Sequence, residues 1–463
     1  MNERYLDKDQ LIFSNKNDAP QTADKIYIRE QFGFYQRVRR SINVVLLLVF
    51  ALLPLLRYQG HQAILFDVEQ QQFHLFSLTL FPQDLMIFAL MFAVAAFGLF
   101  YVTRLYGRVW CGFTCPQTVW MLMFNWVERR IEGTHQQSKS LDRQSFSLSK
   151  FTKKALKHTA WMFIALLTAL VFMSYFVPVE RLYVPFVTLQ SSGLVVGWVL
   201  FFAGCTYINA GFIREKMCQH MCPYSRFQSA MFTDETSLVT YNEVRGESRG
   251  MRKRKQEKPE GMGDCVDCNL CVQVCPVGID IREGLQYECI NCGLCVDACN
   301  ETMDKFSYPR ELITFARVKT TNSLKGLFQQ HIGYLTTITI LMGAMVYWAV
   351  AWQNFDVNVI RDRQALYRIN QEGNVENTYL FKIRNKAIVH QRFNIELNDG
   401  KFALDASNSI IVAPGELATI PAVVSAGDLE ANQQYQLQFS ITTENDSRPI
   451  LKNVTFYSGE GGW

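Results

Sequence analysis

No cysteine stands before Cys111 or after Cys299, although the chain of 463 residues holds 13 of them. That confinement excludes a disulfide framework, which belongs to small exported domains that are cysteine-dense throughout. Histidine is scarce, at 7 residues, and only His220 stands among potential metal ligands. No GxGxxG fingerprint and no flavin-attachment motif occurs, so nothing marks a dinucleotide or flavin enzyme. Charge of one sign is lacking as well. A formal net charge of +4 gives nucleic-acid binding no support. No small-residue cleavage site closes the first apolar stretch, so the start does not read as a signal peptide.

What the chain does have is apolar length. Hydrophobic residues make up 49% of it, gathered into long uncharged stretches. Five of these are candidate membrane spans: Ser41–Leu56, Leu85–Thr103, Thr159–Val179, Gly193–Ile213 and Ile332–Phe355. Arg40 and Arg57 can snorkel from the ends of the first, which is short. Lysine and arginine bias sets the orientation. Arg37, Arg39 and Arg40 precede the first span, and ten lysines and arginines from Arg104 to Lys157 separate the second from the third. Arg214, Lys216 and Arg252-Lys253-Arg254-Lys255 lie between the fourth and fifth, whereas the opposite loops hold only Arg57 and Arg181. The N-terminus is thus expected inside and everything after Phe355 outside. Val109–Val127 is also apolar, but a sixth crossing would break the alternation, so it reads as a re-entrant or interfacial helix. The basic run at 249–258 reads as a solvated juxtamembrane segment rather than a binding patch.

From Val357 onward the apolar period becomes two, as in Tyr379, Phe381 and Ile383, in Phe393, Ile395 and Leu397, and in Tyr435, Leu437, Phe439 and Ile441. Turn signals at Asn398-Asp399-Gly400, Pro414-Gly415 and Gly427-Asp428 separate these runs. About seven short strands of an immunoglobulin-like sandwich are expected, with a structural or docking role.

The cysteines carry the chemistry. Cys265, Cys268, Cys271 and Cys275 form a C-x2-C-x2-C-x3-C run, repeated at Cys289, Cys292, Cys295 and Cys299. This is the bacterial ferredoxin run, whose fourth cysteine serves the other cluster. Three cysteines in a tight loop wrap one cube, and the fourth is expected to start a helix leading to its neighbour. Cys265, Cys268, Cys271 and Cys299 are therefore expected to hold one [4Fe–4S] cluster, and Cys289, Cys292, Cys295 and Cys275 the other. Zinc sites pair C-x2-C motifs instead, which argues against zinc here. Asn300 stands where proline usually follows the run, an exchange expected to loosen the turn after Cys299.

Two further motifs read C-x3-C-P: Cys111 and Cys115 before Pro116, and Cys218 and Cys222 before Pro223. On a helix, positions four apart share a face, while the proline favours a helix start or a bend. Together the motifs offer four thiolates on one side of the membrane, a soft donor set suited to Cu(I), zinc or an iron–sulfur cluster. Met217, Met221 and His220 add copper-compatible donors. Cys205, alone in the fourth span, reads as structural.

The ordered combination of five spans, paired WCGFTCP and CQHMCPY motifs, a double ferredoxin run and a C-terminal sandwich resembles the CcoG (FixG, RdxA) family of cytochrome oxidase accessory proteins. The resemblance runs from Phe32-Gly33-Phe34-Tyr35 to the tail, and the C-x3-C-P motifs are shared with NapH- and NosR-type polyferredoxins. It implies an oxidoreductase of the inner membrane that reduces Cu(II) to Cu(I) during assembly of cbb3-type oxidase. Copper would be met at Cys111, Cys115, Cys218 and Cys222. Partners would be oxidase subunits or copper-delivery factors, with a soluble reductant or quinol as donor; a homodimer is compatible with this. Two alternatives stay open, a quinol-linked electron-transfer subunit and a non-catalytic assembly scaffold. The expected fold class is a multi-domain membrane protein: a five-helix α transmembrane bundle, a cytoplasmic ferredoxin insert and a C-terminal all-β immunoglobulin-like sandwich. The divisions are an N-terminal segment at 1–40, four helices at 41–213, a segment at 214–331 carrying the ferredoxin at about 258–305, a fifth helix at 332–355 and the sandwich at 356–463. The purified protein should hold about eight irons and eight acid-labile sulfides, with a broad visible absorption band. Tightly bound zinc without iron would refute the cluster assignment.

Overall fold

The computed structural model describes residues 4–6 and 25–459, apart from 77, 234–235, 255–257, 319–323, 363–364, 388, 407–408, 428, 431 and 445. The turn signal at Asp428 and part of the basic run at 249–258 therefore lie outside the described residues. The chain forms two compact units, one of Met1–Leu55 with Ala89–Gly343, the other of Leu56–Phe88 with Ala344–Trp463.

Thirteen helices are described: α1 Phe34–Leu52, α2 Met86–Tyr106, α3 Val109–Phe113, α4 Pro116–Glu132, α5 His135–Arg143, α6 Leu148–Met173, α7 Val179–Val187, α8 Gly193–Ile208, α9 Pro223–Ala230, α10 Glu243–Gly246, α11 Leu270–Gln273, α12 Leu294–Lys305 and α13 Leu324–Ala351. Five segments are long and apolar enough to cross a membrane: Phe34–Leu55, Pro82–Tyr106, Leu148–Met173, Gly193–Ile213 and His331–Ala351. They expose large apolar side chains such as Val45 and Leu48 of α1 and Phe92 of α2, which suits a lipid solvent. The helices extend beyond the uncharged stretches. The first begins at Phe34 rather than Ser41, and the third at Leu148 rather than Thr159. An uncharged run marks only the apolar interior, whereas the helix continues through the arginines and lysines at its end. The third ends at Met173 rather than Val179, and the fifth at Ala351 rather than Phe355, which is buried in the sandwich instead.

The expected single helix at Val109–Val127 is two. Thr114 and Cys115 break it, and Pro116 opens α4 at its first turn, where a missing N–H costs nothing. The buried face of α4 packs on α6: Phe124 and Trp161 stack, and the Trp161 indole donates to the Phe124 carbonyl at 3.1 Å. Charged groups surround this contact. Glu128 accepts from Arg214 at 2.7 Å and also meets Lys25, while Glu132 meets Lys157 at 2.8 Å and Lys154 at 2.7 Å. These cations hold the Glu128 carboxyl down at about 2 against the opposing effect of burial.

The second unit contains the sandwich. Strands Phe355–Arg361, Arg368–Ile369, Val375–Asn385, Ala403–Asp405 and Leu417–Ala426 form one sheet, and Gln391–Leu397, Ile410–Val412, Gln434–Thr443 and Asp446–Tyr457 the other. Among the described residues nine strands stand where about seven were expected, because edge strands as short as Arg368–Ile369, Ala403–Asp405 and Ile410–Val412 carry too few residues for a period to show. The alternation holds: Tyr379, Phe381, Ile383, Phe393, Phe439 and Ile441 are all fully buried in its core. Val375–Asn385 pairs antiparallel with Leu417–Ala426 in the register Phe381 to Ile420.

The segment between the first two spans joins this unit, which the sequence did not indicate. Strands Ile64–Asp67, Gln72–Leu75 and Leu78–Leu80 form an antiparallel sheet. Lys386 of the sandwich donates to Asp84 at 2.9 Å, with both side chains about nine-tenths buried. Breaking such a pair costs about 3–5 kcal/mol because one charge is stranded, whereas replacing both with apolar groups is far milder. Asp84→Asn should therefore lower the denaturant midpoint clearly, and Asp84→Leu with Lys386→Met should recover most of the loss. Equal loss in both would mean that the pair contributes shape alone.

Candidate metal centre

The two ferredoxin runs fold alike. Asp267 and Asn269 in the first, and Asn291 and Gly293 in the second, all have positive φ, from 49° to 73°. Asp, Asn and Gly tolerate this left-handed backbone best, and two such residues per run curl the chain around the space between its cysteines. Asn269 and Gly293 then open α11 and α12. The helix thus begins before the third cysteine, not at the fourth. Cys275 follows α11, and Cys299 lies inside α12.

Cys299 lines one cavity together with Cys265, Cys268 and Cys271. Cys275 lines a second with Cys289, Cys292 and Cys295, and Cys271 borders both. The fourth cysteine of each run thus reaches the other run's cavity. Their walls are otherwise mostly apolar, with Val239, Ile279 and Ile281 around the second. Burial pushes the thiols of Cys271, Cys275 and Cys299 up to about 12 and that of Cys289 to about 11. A dry wall with four converging sulfurs fits a [4Fe–4S] cluster, whose irons supply the charge that makes buried thiolates tenable. Asn300 does not loosen the chain. Without proline, α12 runs on to Lys305, and the Asn300 side chain accepts from the Glu311 amide at 2.8 Å.

The C-x3-C-P motifs do not place both sulfurs on one helix face. Cys111 lies in α3, while Cys115 has extended backbone as the N-cap of α4. Cys218 lies in a π-helical turn, Met217–Met221, and Cys222 is the extended N-cap of α9. Proline disfavours helical backbone in the residue before it, which separates each pair. The fold nevertheless gathers both motifs. Cys111 is within electrostatic reach of Cys115 and Cys222, and Cys218 is within reach of all three. Burial raises Cys111 to about 11 and Cys218 to about 12. Among the described residues no group of three His, Cys, Asp or Glu side chains is spaced for a single ion, the ferredoxin cysteines included. His220 is exposed, and Cys205 lies within α8 away from both motifs in sequence.

The gathered thiols abut the second run. Cys111 packs in one apolar cluster with Cys292 and Cys275. A Cβ on Gly112 would stand 2.6 Å from the Ile290 carbonyl oxygen, so only glycine permits this approach. Arg108, itself buried, donates to Gln228 at 3.0 Å and to the Tyr287 carbonyl at 2.6 Å. Its charge acts on Cys111, Cys115 and Cys218 on one side and on Cys289 on the other. In the sequence Arg108 contributes only to the positive-inside bias, and Gln228 and Asn291 stand out by no motif of their own. An arginine three residues before Cys111 was the available signal.

Asn291 fixes the second run to its surroundings. Its amide nitrogen donates to the carbonyls of Tyr106 at 3.1 Å and Ser237 at 3.2 Å, and its oxygen accepts from the Val239 amide at 3.4 Å. Asn291→Ala would leave buried backbone groups unsatisfied at about 1–3 kcal/mol each. The variant should lose iron to a chelator faster than the parent and unfold at lower denaturant. Unchanged iron retention would show that the loop is held by apolar packing alone.

Comparison with known proteins accords with this geometry. Residues 213–318 match the family described as a 4Fe-4S dicluster domain, and residues 345–459 the IG-like fold at the C-terminal of FixG. The chain is 34% identical to nitrogen fixation protein FixG of Rhizobium meliloti, over 78% of this chain and 76% of that one. It is 35% identical to protein RdxA of Cereibacter sphaeroides, over 84% and 85%. A crystal structure of a FixG-related protein from Vibrio parahaemolyticus is 27% identical and covers 23% of this chain and 98% of that one, with a TM-score of 0.21. With these identities over more than three quarters of each chain, and with five apolar helices, a 4Fe–4S domain and an Ig-like domain of its own, the chain belongs to the FixG/RdxA (CcoG) family of membrane iron–sulfur redox proteins.

Proposed function

We propose that the chain is a cupric reductase of the inner membrane, acting in the assembly of cbb3-type cytochrome oxidase. It would hold two [4Fe–4S] clusters, one on Cys265, Cys268, Cys271 and Cys299, the other on Cys289, Cys292, Cys295 and Cys275. Bound there, the clusters supply one-electron transfer, which is the unit that Cu(II) to Cu(I) requires. The electron comes from a soluble reductant or from quinol. Copper is the substrate, and the thiols of Cys111, Cys115, Cys218 and Cys222 favour its reduced ion. The observation that carries the reading is that Cys111 shares one apolar cluster with Cys292 and Cys275, while a Cβ on the adjoining Gly112 would stand 3.1 Å from Cys292 Cα. It sets a soft-donor group beside one end of the electron path.

Five crossings put the clusters inside and the sandwich outside. In support, the N-terminal segment and the loops expected inside bond to one another: Lys25 to Glu128, the Gln36 amide to Asp297 at 3.0 Å, and Arg108 to the Tyr287 carbonyl. The Asp84–Lys386 pair likewise joins the two segments expected outside.

Anaerobic reduction of the purified protein followed by titration with Cu(II) tests the proposal. The reduced clusters should reoxidise with one Cu(I) formed per electron. Replacing Cys111 and Cys115, or Cys218 and Cys222, by serine should leave iron content intact but weaken copper reduction at least about tenfold, since serine is a harder donor. A quadruple variant with full iron and full copper reduction would remove these thiols from the mechanism.

A further inference from the structure

Arg39, one turn into α1, has no exposed surface, and none of its three guanidinium nitrogens has a hydrogen-bond partner among the described residues. Taking a guanidinium out of water costs several kcal/mol unless an opposite charge compensates. Among the described residues no carboxylate lines the small cavity that it borders. Gln36 Oε1 and Asn125 Nδ2 are likewise buried and unpartnered, and both residues line the small cavity that Arg39 borders. Two further cations, Arg29 and Arg129, line that wall, so it adds positive charge rather than compensating it. The same cavity is closed by Pro276 and Leu294, which also line the cavity of Cys275, Cys289, Cys292 and Cys295. Arg39 therefore stands behind the second cysteine-lined cavity, with its charge uncompensated by any hydrogen-bonded carboxylate.

A [4Fe–4S] cube on four thiolates is an anion, and reduction adds one more negative charge to it. Net charge and nearby groups are what set such a potential. A fixed buried cation favours the more negative, reduced form. In a dry surround that preference is screened far less than at a surface.

We propose that Arg39 is the built-in counter-charge of the cluster on Cys275, Cys289, Cys292 and Cys295, a positioning residue that raises its reduction potential above what the same ligands would give alone. The inference rests on the ligand assignment made above. It gives the pair of clusters a direction, because two of the ligands beside Arg39, Cys275 and Cys292, share an apolar cluster with Cys111. Electrons then settle next to the gathered thiols rather than at the far cluster.

The test is a redox titration of the purified full-length protein followed by electron paramagnetic resonance, with iron and labile sulfide measured in parallel. In Arg39→Gln, one cluster's reduction equilibrium should fall about tenfold, equivalent to about 59 mV for a one-electron couple. The other cluster should hold its potential. Arg39→Lys, which keeps the charge, should stay near the parent value. The signal that moves should be the one missing from Cys292→Ser. Full iron with both potentials unchanged in Arg39→Gln would overturn the proposal. So would an equal shift in Arg39→Lys, which would mark an effect of shape. If Arg39→Gln loses half its iron, retention of all of it by Arg39→Lys supports the charge role, and loss from both refutes it. A parent protein without two clusters' worth of iron would overturn the ligand assignment itself, before Arg39 is tested.

Discussion

The structure turns on a backbone contact. Gly112 in α3 meets the Ile290 carbonyl with no room for a side chain, and Asn291 ties the same loop to the ends of two other segments. Because that loop carries Cys289 and Cys292, the contact fixes where the second run of cysteines stands relative to the membrane helices. Gly107 reinforces it, turning the chain between α2 and α3 with φ of +60° beside the Asn291 amide. A soluble ferredoxin module attached by a flexible linker would lack this constraint. Here the module is packed into the first unit, with Arg108 bonded to a carbonyl of the insert and Gln36 and Tyr35 amides bonded to Asp297 of α12.

Charge buried in this unit falls into two kinds. Glu128 and Glu132 are neutralised by Lys25, Lys154, Lys157 and Arg214, each close enough for a direct ion pair. Such pairs hold segments in register but add little net stability, since desolvation offsets most of the attraction. Arg108 and Arg39 are different. Arg108 is satisfied by neutral acceptors and turns its charge toward thiols, while Arg39 has no hydrogen-bond acceptor among the described residues. Arg108 lies between two groups of thiols and Arg39 adjoins the second cysteine-lined cavity, the arrangement expected where the compensating anion is a cofactor rather than a side chain.

The second unit is stabilised by different means. Its sandwich buries a continuous aromatic and aliphatic core, with Phe381 and Phe439 edge-to-face at 4.9 Å and Phe402 against Phe456 at 5.0 Å. Edge-to-face pairs of this kind add about 0.5–1.5 kcal/mol beyond the area they bury. Arg384 lies 4.6 Å over the ring of Phe81, so the segment between the first two spans is held by an aromatic contact as well as by the buried ion pair.

The sequence by itself determined the class of each part. Apolar length gave five membrane helices, period-two alternation gave the sandwich, and the C-x2-C-x2-C-x3-C spacing gave the ferredoxin fold, because each is a local property of consecutive residues. The spacing of the run also accords with Cys275 lining the second run's cavity and Cys299 the first's. Tertiary structure alone decided the rest. It split Val109–Val127 at Cys115, added the segment at 56–88 to the sandwich unit, and brought Cys111 against Cys292. It also gave Arg39, Arg108 and Asn291 their settings. An arginine before a membrane span reads the same whether it meets water or a buried cavity, because burial and partner choice depend on segments far away in the chain.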